Sequence, residues 1–193
     1  MFHEPRWPLV LLLLLAGCSA AARPSPPSSA RLNTTVRSLL PGQVVDGVPC
    51  LTEDLPQHHI HVHVLILYDG AGVAVPAGIG VGRPWGVDST GFIATGRCFA
   101  WIHTHDTTGV VHIITPEEKA FTLGQVFEVW GQPLGAGSAL GYDGSLAVLV
   151  NGRRIDGDPR AVRLENLENI VLELGRPPPV PPPALYNFAA PRM

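Results

Sequence analysis

The chain of 193 residues carries 13 basic and 16 acidic side chains, a formal net charge of −3, and no stretch in which Lys and Arg cluster. Nucleic acid is thereby excluded as a partner, because phosphate binding needs grouped cations. The length suits one domain with its own core, and no segment reaches the about 20 consecutive apolar residues of a membrane-spanning helix.

From the N-terminus, Arg6 precedes a short apolar run, Leu9 to Leu15, that ends in Ala16-Gly17-Cys18. This is the order of a cleavable export signal rather than of a spanning helix. Leu15-Ala16-Gly17-Cys18 resembles the lipobox of bacterial lipoproteins. The resemblance implies that residues 1–17 are a signal peptide and that Cys18 is lipidated, in the manner of palmitate-bearing lipoproteins, and becomes the mature N-terminus. It also implies a lipid anchor in the bacterial cell envelope, on the outer face of the plasma membrane or the periplasmic face of a membrane. Residues 18–42, rich in Ala, Pro, Ser and Arg without apolar periodicity, are expected to be a disordered tether.

Residues 43–176 are expected to form a mainly β domain, a single small antiparallel sheet or sandwich with one short helix. His59 to Tyr68 is a strand candidate ending at the turn Asp69-Gly70, with Val73 to Val75 as its return. The Gly-rich stretch Ala77 to Gly96 reads as loop. Phe99 to His105 and Val110 to Thr115 read as two strands joined by Asp106-Thr107-Thr108-Gly109. Thr115-Pro116-Glu117-Glu118 reads as the start of a single helical turn. Thr122 is placed to cap a helix reaching Trp130, with Gln125 completing a capping box. Leu146 to Val150, Asn151-Gly152 and Arg153 to Ile155 form a hairpin, and Asn169 to Leu174 a last strand. Residues 177–193 are a Pro-rich tail, either a polyproline spacer or a strap held on the domain by Tyr186 and Phe188.

The chain has eight histidines. His3 lies in the apolar leader, and the other seven form two clusters, His58-His59-Ile60-His61-Val62-His63 and His103-Thr104-His105 with His112. On a strand, His59, His61 and His63 share one face at roughly 7 Å spacing. In the second cluster, a two- or four-residue loop centred on Thr107-Thr108 sets position 105 opposite 110 and 103 opposite 112, so His103, His105 and His112 share a face. Apolar residues on both faces mark this as a central hairpin, and enclosed imidazoles need partners for their ring nitrogens. His59, His61, His63, His103, His105 and His112 are therefore candidate ligands of a divalent transition metal, zinc or copper first. Asp106 is a further candidate ligand, a carboxylate supporting a histidine, or a plain turn residue. Only Met1 and Met193 are methionines, which excludes a thioether copper(I) site. If the first strand runs antiparallel to the second, the clusters meet at one rim of one sheet.

Cys50 and Cys98 are an even pair in an exported chain and read most simply as one disulfide, with thiolate metal ligation as the alternative. The chain as a whole resembles a group of uncharacterised exported bacterial lipoproteins. These share an HxHxH strand and a Cys-x-x-Trp-x-His-x-His-Asp segment followed by Gly and another His. Here those residues are His59, His61, His63, Cys98, Trp101, His103, His105, Asp106, Gly109 and His112. The resemblance implies that both clusters belong to one module. Three functions remain open on sequence alone: a membrane-anchored metal-binding protein, a metalloenzyme with an open histidine-ligated position, and a structural envelope lipoprotein without metal. Glu53, Asp54 and Glu117 are the nearest candidates for a general acid or base.

Overall fold

The computed structural model describes residues 32–53, 57–176 and 185–189. The signal segment, Cys18, Asp54 and most of the Pro-rich stretch lie outside the described residues. The domain is mainly β, as its composition of short, turn-bounded apolar runs dictates. A first hairpin, β1 (Val44–Val45) and β2 (Val48–Leu51), leads to the long strand β3 (His58–Tyr68) and its return β4 (Ala71–Val73). Two short strands, β5 (Gly86–Val87) and β6 (Ile93–Thr95), pair within the segment expected to be loop. Then come β7 (Phe99–Ala100), β8 (Ile102–His103) and β9 (Val110–Thr115). After the helix α1 (Leu123–Trp130) follow the small meander β10 (Leu134–Gly135), β11 (Ser138–Ala139) and β12 (Tyr142–Asp143). The hairpin β13 (Leu146–Val150) and β14 (Arg153–Ile155) and the strand β15 (Glu168–Leu174) complete the elements.

The principal sheet has the order β14-β13-β15-β3-β9-β8, with β4 also on β3. All its pairings are antiparallel except one: β15 runs parallel to β3, with Ile170 beside Val64 and Leu172 beside Ile66. The sheet is therefore mixed. The local turn chemistry works as its residue types predict, since Asp69-Gly70 and Asn151-Gly152 both hold positive φ at two successive positions, the backbone that a two-residue hairpin loop needs.

Along β3 and β9 the apolar side chains alternate onto one face. Val62, Val64, Ile66, Val111, Ile113 and Ile102 are at most 2% exposed and join Ile170 and Leu172 in one core with Phe127 and Trp130 of α1. The helix begins as its sequence demands: the Thr122 side chain accepts from the Gln125 N–H while the Gln125 side chain accepts from the Thr122 N–H, and Gly131 ends it in the left-handed conformation. Thr115 to Glu118 forms a bend and not a helical turn, because the Thr115 hydroxyl donates to the Glu117 carbonyl instead of capping a helix.

The strand expected from Phe99 to His105 is divided. Its first part, β7, pairs with β2, and its second, β8, pairs with β9, so the chain changes sheets at Trp101. The Cys50–Cys98 disulfide closes beside this crossing, which removes both thiols from metal ligation. Residues 32–42, expected within the tether, run along the domain: the Arg37 N–H donates to the Trp130 carbonyl, Asn33 N–H to Leu140 O, and Leu39 is 1% exposed. The folded domain thus reaches back to Leu32.

The disulfide joins residues 48 positions apart, and cross-linking a loop of that size removes about 4 kcal/mol of unfolded-state chain entropy. Replacing Cys50 and Cys98 together by Ser is expected to lower the unfolding free energy by that amount in urea titrations. A loss below about 1 kcal/mol would show that the core alone fixes this crossing.

Candidate metal centre

The apolar alternation that builds the core leaves the histidines on the opposite face of the sheet. Strand β3 lies antiparallel to β9, with His61 opposite His112, and β9 lies antiparallel to β8, with His103 opposite His112. The first strand therefore pairs with the third and not with the second, and runs in the same direction as the second. The clusters still meet, in a row His61–His112–His103 across three adjacent strands, with β9 in the middle. The expected register of residue 103 against 112 is present. Residue 105 has left the ladder, because Thr104 turns into the loop, its N–H donating to the Ile79 carbonyl and its hydroxyl to that of Pro76.

Five of the seven candidate ligands come together. Ring nitrogens of His59, His61 and His112 lie within 4.8 Å of one another, and so do those of His103, His105 and His112. His103 and His112 are buried, His61 and His105 half-buried, and His59 is exposed at the mouth. The other two candidates lie elsewhere. His63 continues the same strand face, but its Nε2 bonds the Thr108 carbonyl at 3.0 Å, Asn169 bonds its ring, and Tyr186 stacks on it at 4.3 Å. Its nitrogens are engaged by the protein. Asp106 binds the N–H and hydroxyl of Thr108 within its own turn, the ordinary use of Asp at such a position. His58 faces a separate cavity of about 450 Å³ beside Glu118 and Lys119.

Two backbone carbonyls fix how the deeper rings present themselves. His103 Nδ1 donates to Ala100 O at 2.8 Å, and His105 Nδ1 donates to Ile93 O at 2.6 Å. A carbonyl only accepts, so each ring carries a proton on Nδ1 and turns Nε2 to the cluster. Those two Nε2 atoms face each other at 3.0 Å. Two acceptors at that distance repel unless a proton or a cation lies between them. His103 does not supply that proton at neutral pH, since burial first and the charge of His105 second push its pKa down to about 3. A tetrahedron of zinc–nitrogen bonds places neighbouring nitrogens about 3.3 Å apart, close to the separation found.

The other side of the cluster is arranged likewise. His59 Nε2 lies 3.2 Å from His112 Nδ1, and His61 Nε2 is buried with no hydrogen-bond partner. Burial is again the main cause that lowers the pKa of His61 to about 4 and of His112 to about 2, with repulsion from neighbouring imidazoles adding to it. His61, His103 and His112 are thus neutral nitrogen donors held close together within the cluster. Aromatic rings wall it: Phe92 stacks on His105 at 4.2 Å and Phe99 meets His103 edge-on at 5.3 Å.

Phe92 and the carbonyls of Ile93 and Ala100 were not candidates on sequence. Ala100 and Ile93 act through backbone oxygens, which leave no side-chain signature, and Phe92 sits in a stretch that reads as loop. Of the candidate acid–base groups, Glu53 and Glu117 are exposed and do not join the cluster, and among the described residues each nitrogen group consists of histidines alone. No protein-family model, curated protein or solved structure matches the chain.

Because the folded-state pKa values of His61, His103 and His112 lie below the unfolded value near 6.5, the unfolded chain takes up protons first as the pH falls. The stability contributed by neutral rings is complete above about pH 6.5 and is lost progressively below it. The metal-free protein is expected to melt at a steady temperature from about pH 8 to 7 and at falling temperatures toward about pH 4. Thermal unfolding followed by circular dichroism checks this, and a flat profile across that range would show that the rings are not held neutral.

Proposed function

We propose that the protein is a membrane-anchored lipoprotein that binds a divalent transition metal, zinc or copper, through His59, His61, His103, His105 and His112. One observation carries the metal reading: the ring nitrogens of five histidines gather in two groups, each within 4.8 Å, and in the deeper group His103 and His105 bond carbonyls through Nδ1 and turn Nε2 on each other at 3.0 Å. The donor set supports the choice of ion. Neutral imidazoles without thiolate or carboxylate suit Zn(II) and Cu(II) and not Ca(II) or Mg(II). The Ala100 and Ile93 carbonyls play the part that outer partners of metal-bound histidines generally play, fixing tautomer and ring direction.

The cellular placement rests on the sequence. The Leu9–Leu15 run and the Ala16-Gly17-Cys18 motif support export and lipidation at Cys18, with the lipid as membrane partner. The Cys50–Cys98 disulfide is in keeping with an oxidising compartment. In that setting, capture, buffering or delivery of the metal at the envelope surface is the role the module fits. The likeness to exported lipoproteins with HxHxH and CxxWxHxHD motifs supports treating both clusters as one functional unit.

Full-length protein stripped with chelator and then dialysed at neutral pH against Zn(II) or Cu(II) is expected to retain metal in stoichiometric amount by elemental analysis. His112→Ala removes the donor common to both groups and should weaken retention at least about tenfold, at or beyond the lower end of the effect seen for outer partners of metal ligands. His63→Ala should leave it unchanged, since that ring is engaged by Thr108, Asn169 and Tyr186. Failure of the unmodified protein to retain either metal would remove the proposal. Equal losses from His63→Ala and His112→Ala would show that the assignment of ligands is wrong.

A further inference from the structure

His112 belongs to both nitrogen groups, and its place in the sheet explains why. It stands on β9, the middle strand, with His61 opposite it on β3 and His103 opposite it on β8. Neighbouring strands are about 4.8 Å apart, so His61 and His103 are anchored about twice that distance from each other. The nitrogens accordingly fall into two groups of three that share one residue, each group spanning no more than 4.8 Å.

The orientation of the ring fits this position. His112 is nearly parallel to His103, at 12° and 5.6 Å between centroids, and meets His105 edge-on at 85° and 4.7 Å. Toward β3 it meets His61 edge-on at 80° and 4.6 Å, and its Nδ1 lies 3.2 Å from His59 Nε2. Each nitrogen of an imidazole has one in-plane direction, taken by a lone pair or by the ring proton, and the two diverge. One such ring cannot turn both nitrogens to a single ion, but it can turn one to each of two.

Resting on the metal reading above, we infer that the cluster is a two-ion centre in which His112 is the bridge. Nδ1 joins His59 and His61 on one ion, and Nε2 joins His103 and His105 on the other. Bridging requires the one ring proton of His112 to leave for solvent as the second ion binds, so the bridge becomes an imidazolate and supplies the only anionic donor among these residues. No electron moves in this step. Each ion receives three protein nitrogens, which leaves a coordination position for water or a small external ligand, as in zinc sites that are not purely structural. The two ions are not equivalent. His59 is exposed, whereas His103 is 1% exposed, so the ion on the β3 side exchanges with solvent more readily.

Copper reports such a bridge directly, because an imidazolate couples two Cu(II) spins antiferromagnetically. The full-length protein loaded with Cu(II) is expected to hold two ions per chain, with a low-temperature electron paramagnetic resonance signal integrating to far less than two spins. Replacing one equivalent by diamagnetic Zn(II) should restore a full one-spin signal. His59→Ala and His105→Ala, both at less buried positions than His112, should each leave one strongly held copper with an uncoupled signal, whatever the folding of His112→Ala. A single copper per chain, or two with full two-spin intensity, would overturn the bridge while leaving metal binding intact. Absence of any bound metal would overturn both.

Discussion

The pairing of β9 between β3 and β8 is the constraint on which the rest depends. Side chains alternate with a period of two along a strand, so a slip of one residue would carry Val111 and Ile113 to the outer face and bury His112 in the core. That slip is resisted by Ile60, Val62 and Val64 on β3, which must lie beside Val111 and Ile113 to close the apolar layer under α1. The row of histidines is therefore a by-product of the hydrophobic register. The chain does not arrange three ligands one by one. It folds a core, and the row of candidate ligands follows.

A face so built has an electrostatic cost. Imidazoles are displaced from water and set against one another, and His61, His103 and His112 are held neutral well below the pH at which a free histidine would protonate. Buried lone pairs facing lone pairs weaken a fold unless something occupies the space between them. A cation reverses the sign of that interaction, since the features that oppose protonation leave the nitrogens unprotonated and ready to coordinate. Neutral donors held in place also reduce the proton competition that metals otherwise meet at histidine. The crowding of the cluster and its capacity to hold a metal ion thus have one origin.

Much of this was legible in the sequence, because it depends on local pattern. The strand of alternating histidines, the two Gly-containing hairpin turns, the capping box at Thr122 and the opposition of residues 103 and 112 all follow from periodicity and turn chemistry within a few residues. The parallel contact of β15 with β3 did not, since it joins residues about a hundred positions apart and no local signal encodes it. That His63 stands apart from the two nitrogen groups was hidden for the same reason. Its strand position is that of His59 and His61, and what distinguishes it is Asn169 and Tyr186, brought from the far end of the chain. The strap reading of that segment suits residues 185–189, where the Tyr186 N–H donates to Asn169 Oδ1 and Phe188 is buried. The segment at 32–42 lacked any period because it pairs irregularly with Trp130 and Leu140 rather than as an element.

The disulfide and the histidines, which read as separate features along the chain, act on one another through a single peptide group. Cys50 stands opposite Ala100 where β2 pairs with β7, and Cys98 lies two residues before it. The Ala100 carbonyl is the acceptor that holds His103 Nδ1. The covalent link therefore holds the strand whose oxygen sets the tautomer and direction of the most buried candidate ligand, and it does so where the chain leaves one sheet for the other. Gly80 completes the support, its φ of +72° allowing a backbone approach in which any Cβ would collide with the Ile102 carbonyl. Orientation of a metal ligand usually falls to a neighbouring side chain. Here a carbonyl orients the candidate ligand His103, and the disulfide anchors the strand that carries that carbonyl.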